Sequence, residues 1–353
     1  MRGDASSQQQ IFRVVTTDAV VPEGHPLRAI LAMVNRALEG MSGCWDGVYA
    51  KRGRPSIPPE KMLKALLLQV LYSIPSERRL MEWIGHDLMF QWFVGLGAGE
   101  QVWDASSFSK NRERLLAADA AQRLLVETVA AAEARGLLAN DEFRVDGTLI
   151  QSWASRRSFG PRPDPPAEGS GRGGRMLVND ACASRTDPEA RMYGQGAPKQ
   201  LYHMAHVLSD GRHGLVVGAR ITAPSPAAER KAALEMLAAQ RGRGGGGATL
   251  AADKGYDEPP FVRALAALGI TAHIARYRGR RRSSIPDAVA QTEAYRRSQR
   301  NRKRIEQIFS WIKAEGRLRR ARHRGRARVG WVFTLAAAAY NLVRISHLGP
   351  ATA

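Results

Sequence analysis

EFRVDGTLI, residues 142–150, marks a change in the character of the chain. Its β-branched and aromatic residues suit a pleated strand, with Phe143 and Val145 on one side and Arg144 and Asp146 on the other. Upstream, from residue 12 to about 140, the pattern is helical. Ser56 followed by Ile-Pro-Pro-Glu marks a helix start, with proline in the first turn and an acid near the positive end of the helix dipole. Leu63, Leu66, Leu67, Val70 and Leu71 then make one apolar stripe. Ser76 opens a second helix and Asp104 or Ser106 a third. Short helices carrying basic residues suit a helix-turn-helix DNA reader and a dimerisation bundle equally well.

Downstream the chain reads as strands first and alternation later. The stretch from Ser155 to Arg175, rich in Pro, Gly and Arg, reads as a loop. LYHMAHVL and GLVVGARIT are strand candidates separated by the turn signal SDGRH. AAERKAALEMLAA is a helix, and RGRGGGG a connector; without Gly-Lys-Ser or Gly-Lys-Thr after it, it is not a phosphate loop. ATLAAD, PPFVRALAALG and ITAHIA give strand, helix, strand. Two helices close the chain, RKRIEQIFSWIK and VGWVFTLAAAAYNLVRI, the second apolar enough to be buried. This order predicts one mixed sheet with helices on its faces.

The length of 353 residues allows two or three domains, and 44% hydrophobic residues suffice for a core. Lys and Arg number 53 against 33 acids, a formal charge of +20. Between Thr271 and Gly330 stand 19 Lys or Arg and 4 acids, three quarters of the excess. Apolar residues interleave there at helical spacing, which predicts a folded, phosphate-facing surface rather than a solvated tail. GRLRRARHRGRARVG has too few apolar residues for a membrane-surface helix. Cys44 and Cys182 cannot form a disulfide framework or a four-ligand zinc site, and they suit a reducing compartment. MRGDASSQQQ lacks the apolar core of a signal peptide, and the longest apolar run, near WVFTLAAAAYNLV, falls short of the ~20 residues of a spanning helix. Secreted, collagen-like and integral membrane classes are therefore not expected.

Three acids stand out by position. Asp146 is expected at the end of a strand, directly before Gly147. Asp253, in LAADKGYD, closes another. Ligands bind at strand ends in mixed sheets, and two neighbouring parallel strands ending this way bring their carboxylates together. Glu306 falls at the margin of the stripe formed by Ile305, Ile308, Phe309 and Ile312, with Arg302 and Lys313 beside it on the helix. Each acid alone has an ordinary account: an Asp-Gly turn, a helix cap, a pair with Arg302. Together, in a basic chain, they fit phosphodiester cleavage. Two magnesium ions about 3.5–4 Å apart activate the nucleophile and stabilise the leaving oxygen. Magnesium prefers hard carboxylate oxygen. His203 and His206, three apart on a strand, face opposite sides and do not make a zinc site. Trp83, Trp92, Phe93 and Trp103 read as core.

These runs, with HPLRAI (25–30), GRPSIPPEKMLKALLLQVLYSIPSERRLMEWI from Gly53, SSFSKNRERLL from Ser106, VDGTLIQSWAS from Val145, DPEAR from Asp187 and RHRGRARVGWVFTLAAAAYNLVRI from Arg322, resemble bacterial insertion-sequence transposases of the DDE class, insertion-sequence-five type. The resemblance covers nearly the whole chain in order. It implies an α/β fold: an RNase H-like mixed sheet with flanking helices over residues 141–348, holding a polar loop insertion at about 155–200, preceded by an all-helical domain over residues 1–140 for end binding or dimerisation. It implies Asp146, Asp253 and Glu306 as a catalytic triad for two Mg²⁺ ions, or Mn²⁺. Related transposases carry Tyr, two residues, Arg, three residues, Glu, six residues, Lys. Arg302, Glu306 and Lys313 fit that spacing, while Gln299 stands where the tyrosine would be. Arg302, Lys313, Arg317, Arg319 and Arg320 are the implied DNA contacts. The implied partners are double-stranded DNA, as transposon ends and target, and a second copy of the chain; no membrane is implied. The implied setting is the bacterial cytoplasm, on the nucleoid. The rival reading is a non-catalytic DNA-binding repressor derived from a transposase. Asp187 and Glu189 have no role that the sequence explains.

Overall fold

The computed structural model describes residues 16–45, 48–49, 56–97, 100–163, 178–194, 199–240, 247–277 and 282–348. The first part is helical: α1 (Thr17–Val20), α2 (Pro26–Gly40), α3 (Pro59–Leu71), α4 (Glu77–His86), α5 (Leu88–Val94), α6 (Ala105–Ala117) and α7 (Ala120–Ala134). The caps follow the sequence. Ser76 Oγ accepts the Arg79 N–H at 3.2 Å, and Asp104 Oδ1 accepts those of Ser106 and Ser107 at 3.0 and 2.9 Å. Ser56 is not a cap; α3 starts at Pro59, with Pro58 before it.

The second part runs β1 (Glu142–Gln151), β2 (Phe159–Pro161), α8 (Val178–Ala181), β3 (Cys182–Ser184), β4 (Arg191–Tyr193), β5 (Gln200–Asp210), β6 (Val216–Thr222), α9 (Ala228–Ala239), β7 (Thr249–Ala252), α10 (Pro259–Ala267), β8 (Thr271–Ile274), α11 (Asp287–Ala290), α12 (Glu293–Arg302), α13 (Ile305–Ala314) and α14 (Arg326–His347). β1, β5 and β6 form an antiparallel meander, and β7 and β8 add on the other side of β1, parallel to it. The order across the sheet is β6-β5-β1-β7-β8, with β4 pairing with the start of β5. Three antiparallel strands followed by two parallel ones make the expected RNase H-like mixed sheet. The stretch expected as a loop holds more order than its composition suggested: β2 and β3 pair as a small separate sheet. Residues 164–177 of that stretch, and 241–246 of the glycine-rich connector, lie outside the described residues.

α14 joins the two parts. It packs on α7, α2 and α3 on one side and on β6 on the other. Ala336 to Ala339 are fully buried, and their small side chains let the layers approach closely. One continuous core therefore runs from Leu27 to Ile345. With 22 residues α14 is longer than the apolar run suggested. By length and composition it could cross a membrane, but 67% of its most apolar window is buried inside the protein. Asn341 fastens it to β6: its amide accepts the Val216 N–H and donates to the Val216 carbonyl, both at 2.8 Å.

RKRIEQIFSWIK is not one helix. α12 ends at Arg302 and α13 begins at Ile305, with a turn at Lys303 and Arg304. The two helices bury different faces. α12 turns Ser298 towards β8, where it bonds His273 Nδ1 at 2.9 Å. α13 buries Ile305, Ile308, Phe309 and Ile312 towards β1 and α14. One straight rod cannot satisfy both.

Candidate metal and nucleic-acid site

Asp146 lies inside β1, not at its end; the strand continues five residues beyond it. Asp146-Gly147 is therefore not a turn. What ends near Asp146 is the pairing with β7, whose register runs Glu142 with Thr249, Phe143 with Leu250 and Arg144 with Ala251. The same offset carried two residues further sets Asp146 opposite Asp253. There β7 stops and Asp253 caps a short 3-10 turn, its Oδ1 accepting the Gly255 N–H at 2.8 Å. Asp146 Oδ1 accepts the Gly147 N–H at 2.8 Å. Burial pushes the Asp146 carboxyl up to about 6; the negative charges of Asp253 and Glu306 add to this, while the Gly147 N–H and the Arg302 guanidinium oppose it. The three acids and Arg302 thus share one electrostatic neighbourhood.

Glu306 occupies the first turn of α13 and is exposed. Arg302 does not stand one turn back on the same helix. It reaches Asp146 from the end of α12, and its Nε is buried without a hydrogen-bond partner. Lys313 donates to Thr148 Oγ1 at 2.6 Å. Thr148 is two residues beyond Asp146 and so on the same face of β1. Burial, and then the charge of Arg319, hold the Lys313 ammonium below its usual value. α13 thus lies along the acid-bearing face, with Glu306 at one end and Lys313 at the other. Arg317, Arg319 and Arg320 sit beyond its C-terminus. With Lys313, Arg322 and Trp153 they line a cavity of about 490 Å³. The Arg320 guanidinium lies 5.5 Å from the Trp153 ring centroid. Gln299, in the place of the tyrosine, donates to the His273 carbonyl and is turned into the fold.

As they stand, no three His, Cys, Asp or Glu side chains among the described residues are close enough to hold one ion together. Asp146 and Asp253 each satisfy an oxygen locally on a backbone N–H group. Every candidate donor is a hard oxygen.

Two residues at this site escaped the sequence reading. Glu229, in the first turn of α9, leans onto β1: a Cβ on Gly147 would lie 2.7 Å from its Oε1. Burial pushes the Glu229 carboxyl up to about 7, and Asp146 and Asp253 add to the shift. Tyr256 is fully buried, and its hydroxyl has no hydrogen-bond partner. Burial, then the charges of Glu229, Asp146 and Asp253, raise its phenol well above the usual value. Glycine inside a strand marks a close approach; that signal stood at Gly147 but reads equally as a turn.

Asp187 and Glu189 acquire a structural role. Asp187 Oδ2 accepts from Ser152 Oγ at 2.7 Å and lies 2.9 Å from His203 Nε2, while Oδ1 accepts the Gly325 N–H at 3.2 Å. Glu189 accepts the Arg326 N–H and Nε–H, both at 2.8 Å. DPEAR therefore ties the start of α14 to the sheet. His206 bonds Thr222 at 2.8 Å, so the two histidines have separate partners. Of the four aromatics read as core, Phe93 is buried and Trp92 and Trp103 are half-buried, but Trp83 is 40% exposed.

Residues 15–114 match the family described as Transposase domain (DUF772), and residues 171–342 match Transposase DDE domain. No curated protein sequence matches the chain. Among solved structures, a piggyBac transposase synaptic complex with hairpin DNA is similar at 10% identity and a TM-score of 0.41, over 93% of this chain and 77% of that one. A Mos1 transposase paired-end complex with the left transposon end is similar at 11% identity and a TM-score of 0.22, over 79% and 85%. A Mos1 mariner paired-end complex with Mn follows at 12% identity and a TM-score of 0.21, over 80% and 86%. Likenesses this low carry no argument about the site. The two family matches together take in most of the chain, one over its helical part and one over most of its sheet and last helices, and by them this protein belongs to the DDE transposases of insertion sequences.

Proposed function

We propose that this transposase, of the insertion-sequence-five type, binds the terminal inverted repeats of its element, cuts a strand there and joins the freed 3′-hydroxyl to target DNA. One observation carries the reading: the β1–β7 register sets Asp146 opposite Asp253, with Glu306 and Arg302 within electrostatic reach.

The donor set suits a hard divalent cation, and the buried, unpartnered Tyr256 hydroxyl within electrostatic reach of the acids fits a site that another polar group completes. Asp146 and Asp253 would hold two Mg²⁺ or Mn²⁺ ions, with Glu306 completing one coordination sphere. Such ions, when bound, offset charge on the scissile phosphate and on the attacking and leaving oxygens. The chain's own groups do the rest. Arg302 offsets the mutual repulsion of the acids. Lys313, anchored on Thr148, and Arg317, Arg319 and Arg320 take DNA phosphates beside a centre that would otherwise repel them. Residues 1–140 serve as the end-binding or dimerising domain and 141–348 as the catalytic one. A homodimer brings two ends together, in the bacterial cytoplasm on the nucleoid.

The test is magnesium-dependent nicking of a labelled duplex carrying the DNA that flanks the gene. Asp253→Asn should abolish nicking and leave binding largely intact; a variant that still cuts refutes the assignment. A wild-type protein that binds but never nicks would instead be the repressor. Joined donor–target products separate a transposase from a plain nuclease.

A further inference from the structure

α9 crosses β5 and β6 and brings its first turn over β1. An acid in the first turn of a helix needs no explanation beyond the helix dipole. Glu229 needs more. A glutamate stem at this position could reach solvent, yet the carboxylate rests on the backbone of β1 right after Asp146. Its Oε1, Cγ and Cδ would lie 2.7, 3.1 and 3.2 Å from a Cβ at residue 147. It fits there because residue 147 is glycine. It makes no hydrogen bond or ion pair among the described residues, in a chain with 53 Lys and Arg. Leaving a half-buried carboxylate beside two others without a cation is unfavourable.

Tyr256 is an independent sign at the same place. Three residues after Asp253 it enters the core, where its hydroxyl has no hydrogen-bond partner and feels the charges of Glu229, Asp146 and Asp253. A buried hydroxyl left unmade costs about 1–3 kcal/mol. Both unmet groups, one charged and one neutral, come from different elements and lie within electrostatic reach of Asp146 and Asp253.

We infer that Glu229 is a fourth carboxylate of the divalent-ion site, admitted beside Asp146 by Gly147. The inference rests on the metal-dependent reading above and adds to it a donor from α9, opposite the side from which α13 presents Glu306.

The test is Mn²⁺ binding to the full-length protein by isothermal titration calorimetry, without DNA and without turnover. Glu229→Gln should weaken Mn²⁺ binding on the order of 10–100-fold, the range seen when groups supporting a metal site are removed. Gly147→Ala, which displaces the carboxylate without removing it, should weaken binding in the same direction, and Tyr256→Phe by about the lower end of that range. DNA binding measured alongside shows that each variant is folded. Should Glu229→Gln not fold, Gly147→Ala and Glu229→Asp decide by the same titration. Asp253→Asn separates the two levels of the argument. If it loses Mn²⁺ while Glu229→Gln and Gly147→Ala bind as the wild type does, Glu229 is no ligand and the triad stands. If Asp253→Asn binds Mn²⁺ normally, the metal-site reading itself fails, and the fourth carboxylate with it.

Discussion

The salt dependence of DNA binding should change by a calculable amount when two arginines are neutralised. Arg317 and Arg319 are exposed, line the basic cavity beyond α13 and have no ion pair among the described residues. Arg320 is a poorer probe, because it also bonds the Ser152 and Trp153 carbonyls. Each phosphate neutralised adds about 0.9 to the slope of log K against log salt. Arg317→Gln/Arg319→Gln should therefore lower that slope by about 1.8. Between 50 and 200 mM salt, a factor of four, the wild type should lose about 12-fold more affinity than the variant does. Glutamine keeps the length of the side chain, and the Arg319 carbonyl still accepts the Gln151 N–H, so the turn after α13 stays in place. The assay is fluorescence anisotropy of a labelled duplex at several potassium chloride concentrations. The phosphate term does not depend on sequence, so a random duplex serves as well as the element's end. Parallel lines for the two proteins would place the DNA elsewhere and remove this cavity from the interface.

The remaining expectations concern the frame that positions the site. Asn341→Ala leaves the N–H and carbonyl of Val216 unbonded in the core and should cost about 2–5 kcal/mol in urea unfolding; a loss under 1 kcal/mol would mean water replaces the amide. Asp187→Ala strips Ser152, His203 and Gly325 of a shared buried acceptor and should cost about 3–5 kcal/mol; an unchanged urea midpoint would show that DPEAR does not anchor α14. Acid should destabilise the fold through His206 and His323, which burial, with nearby arginines, holds at about 4 each. Their folded values lie below the unfolded ~6.5, so the unfolded chain takes up protons first. The stability is complete above ~6.5 and lost as pH falls towards 4, up to about 3 kcal/mol per histidine. His206→Gln and His323→Gln should flatten the fall in urea midpoint between pH 7 and 4.5, and equal falls in wild type and variants would contradict it.

The strands and their order were legible because each begins and ends within a few residues of a Gly, Pro or Asp signal, and the two parallel strands are short apolar runs that only a covered sheet explains. Asp253 stood out as the first acid after one of those runs, and Asp146 as an acid before a glycine in a strand-type stretch; the β1–β7 register sets the two opposite each other. What failed were judgements in which a local rule met a tertiary demand. Asp-Gly is the commonest turn pair, but β1 continues because β5 pairs with it from Phe143 to Gln151. Helical periodicity through RKRIEQ hides the break at Lys303, because the change of buried face is visible only once β8 and β1 are in place. Asp187 and Glu189 showed no pattern because their partners, Gly325 and Arg326, lie far along the chain. Glu229 lacked any signal of its own, since an acid in a first helical turn is ordinary; only the glycine facing it was unusual.

The acids gathered at the site are not matched one to one by bases. Elsewhere on this chain, with its 20 surplus positive charges, several acids take a basic partner. Glu77, Glu113, Glu189, Glu235 and Glu293 each take one. Asp146, Glu229, Asp253 and Glu306 take none among the described residues, although Arg302 and Arg230 lie within electrostatic reach of the group. An unpaired, partly buried carboxylate raises the energy of the fold, and Asp146 and Glu229 are two such groups side by side. A divalent cation held by these acids would offset that cost. A charge-neutral set should relieve the apo protein: Asp146→Asn should raise its urea midpoint, while Mn²⁺ should raise the wild-type midpoint and leave that of the variant almost unmoved. A variant less stable than the wild type without metal would mean that the acids hold the sheet together rather than wait for an ion.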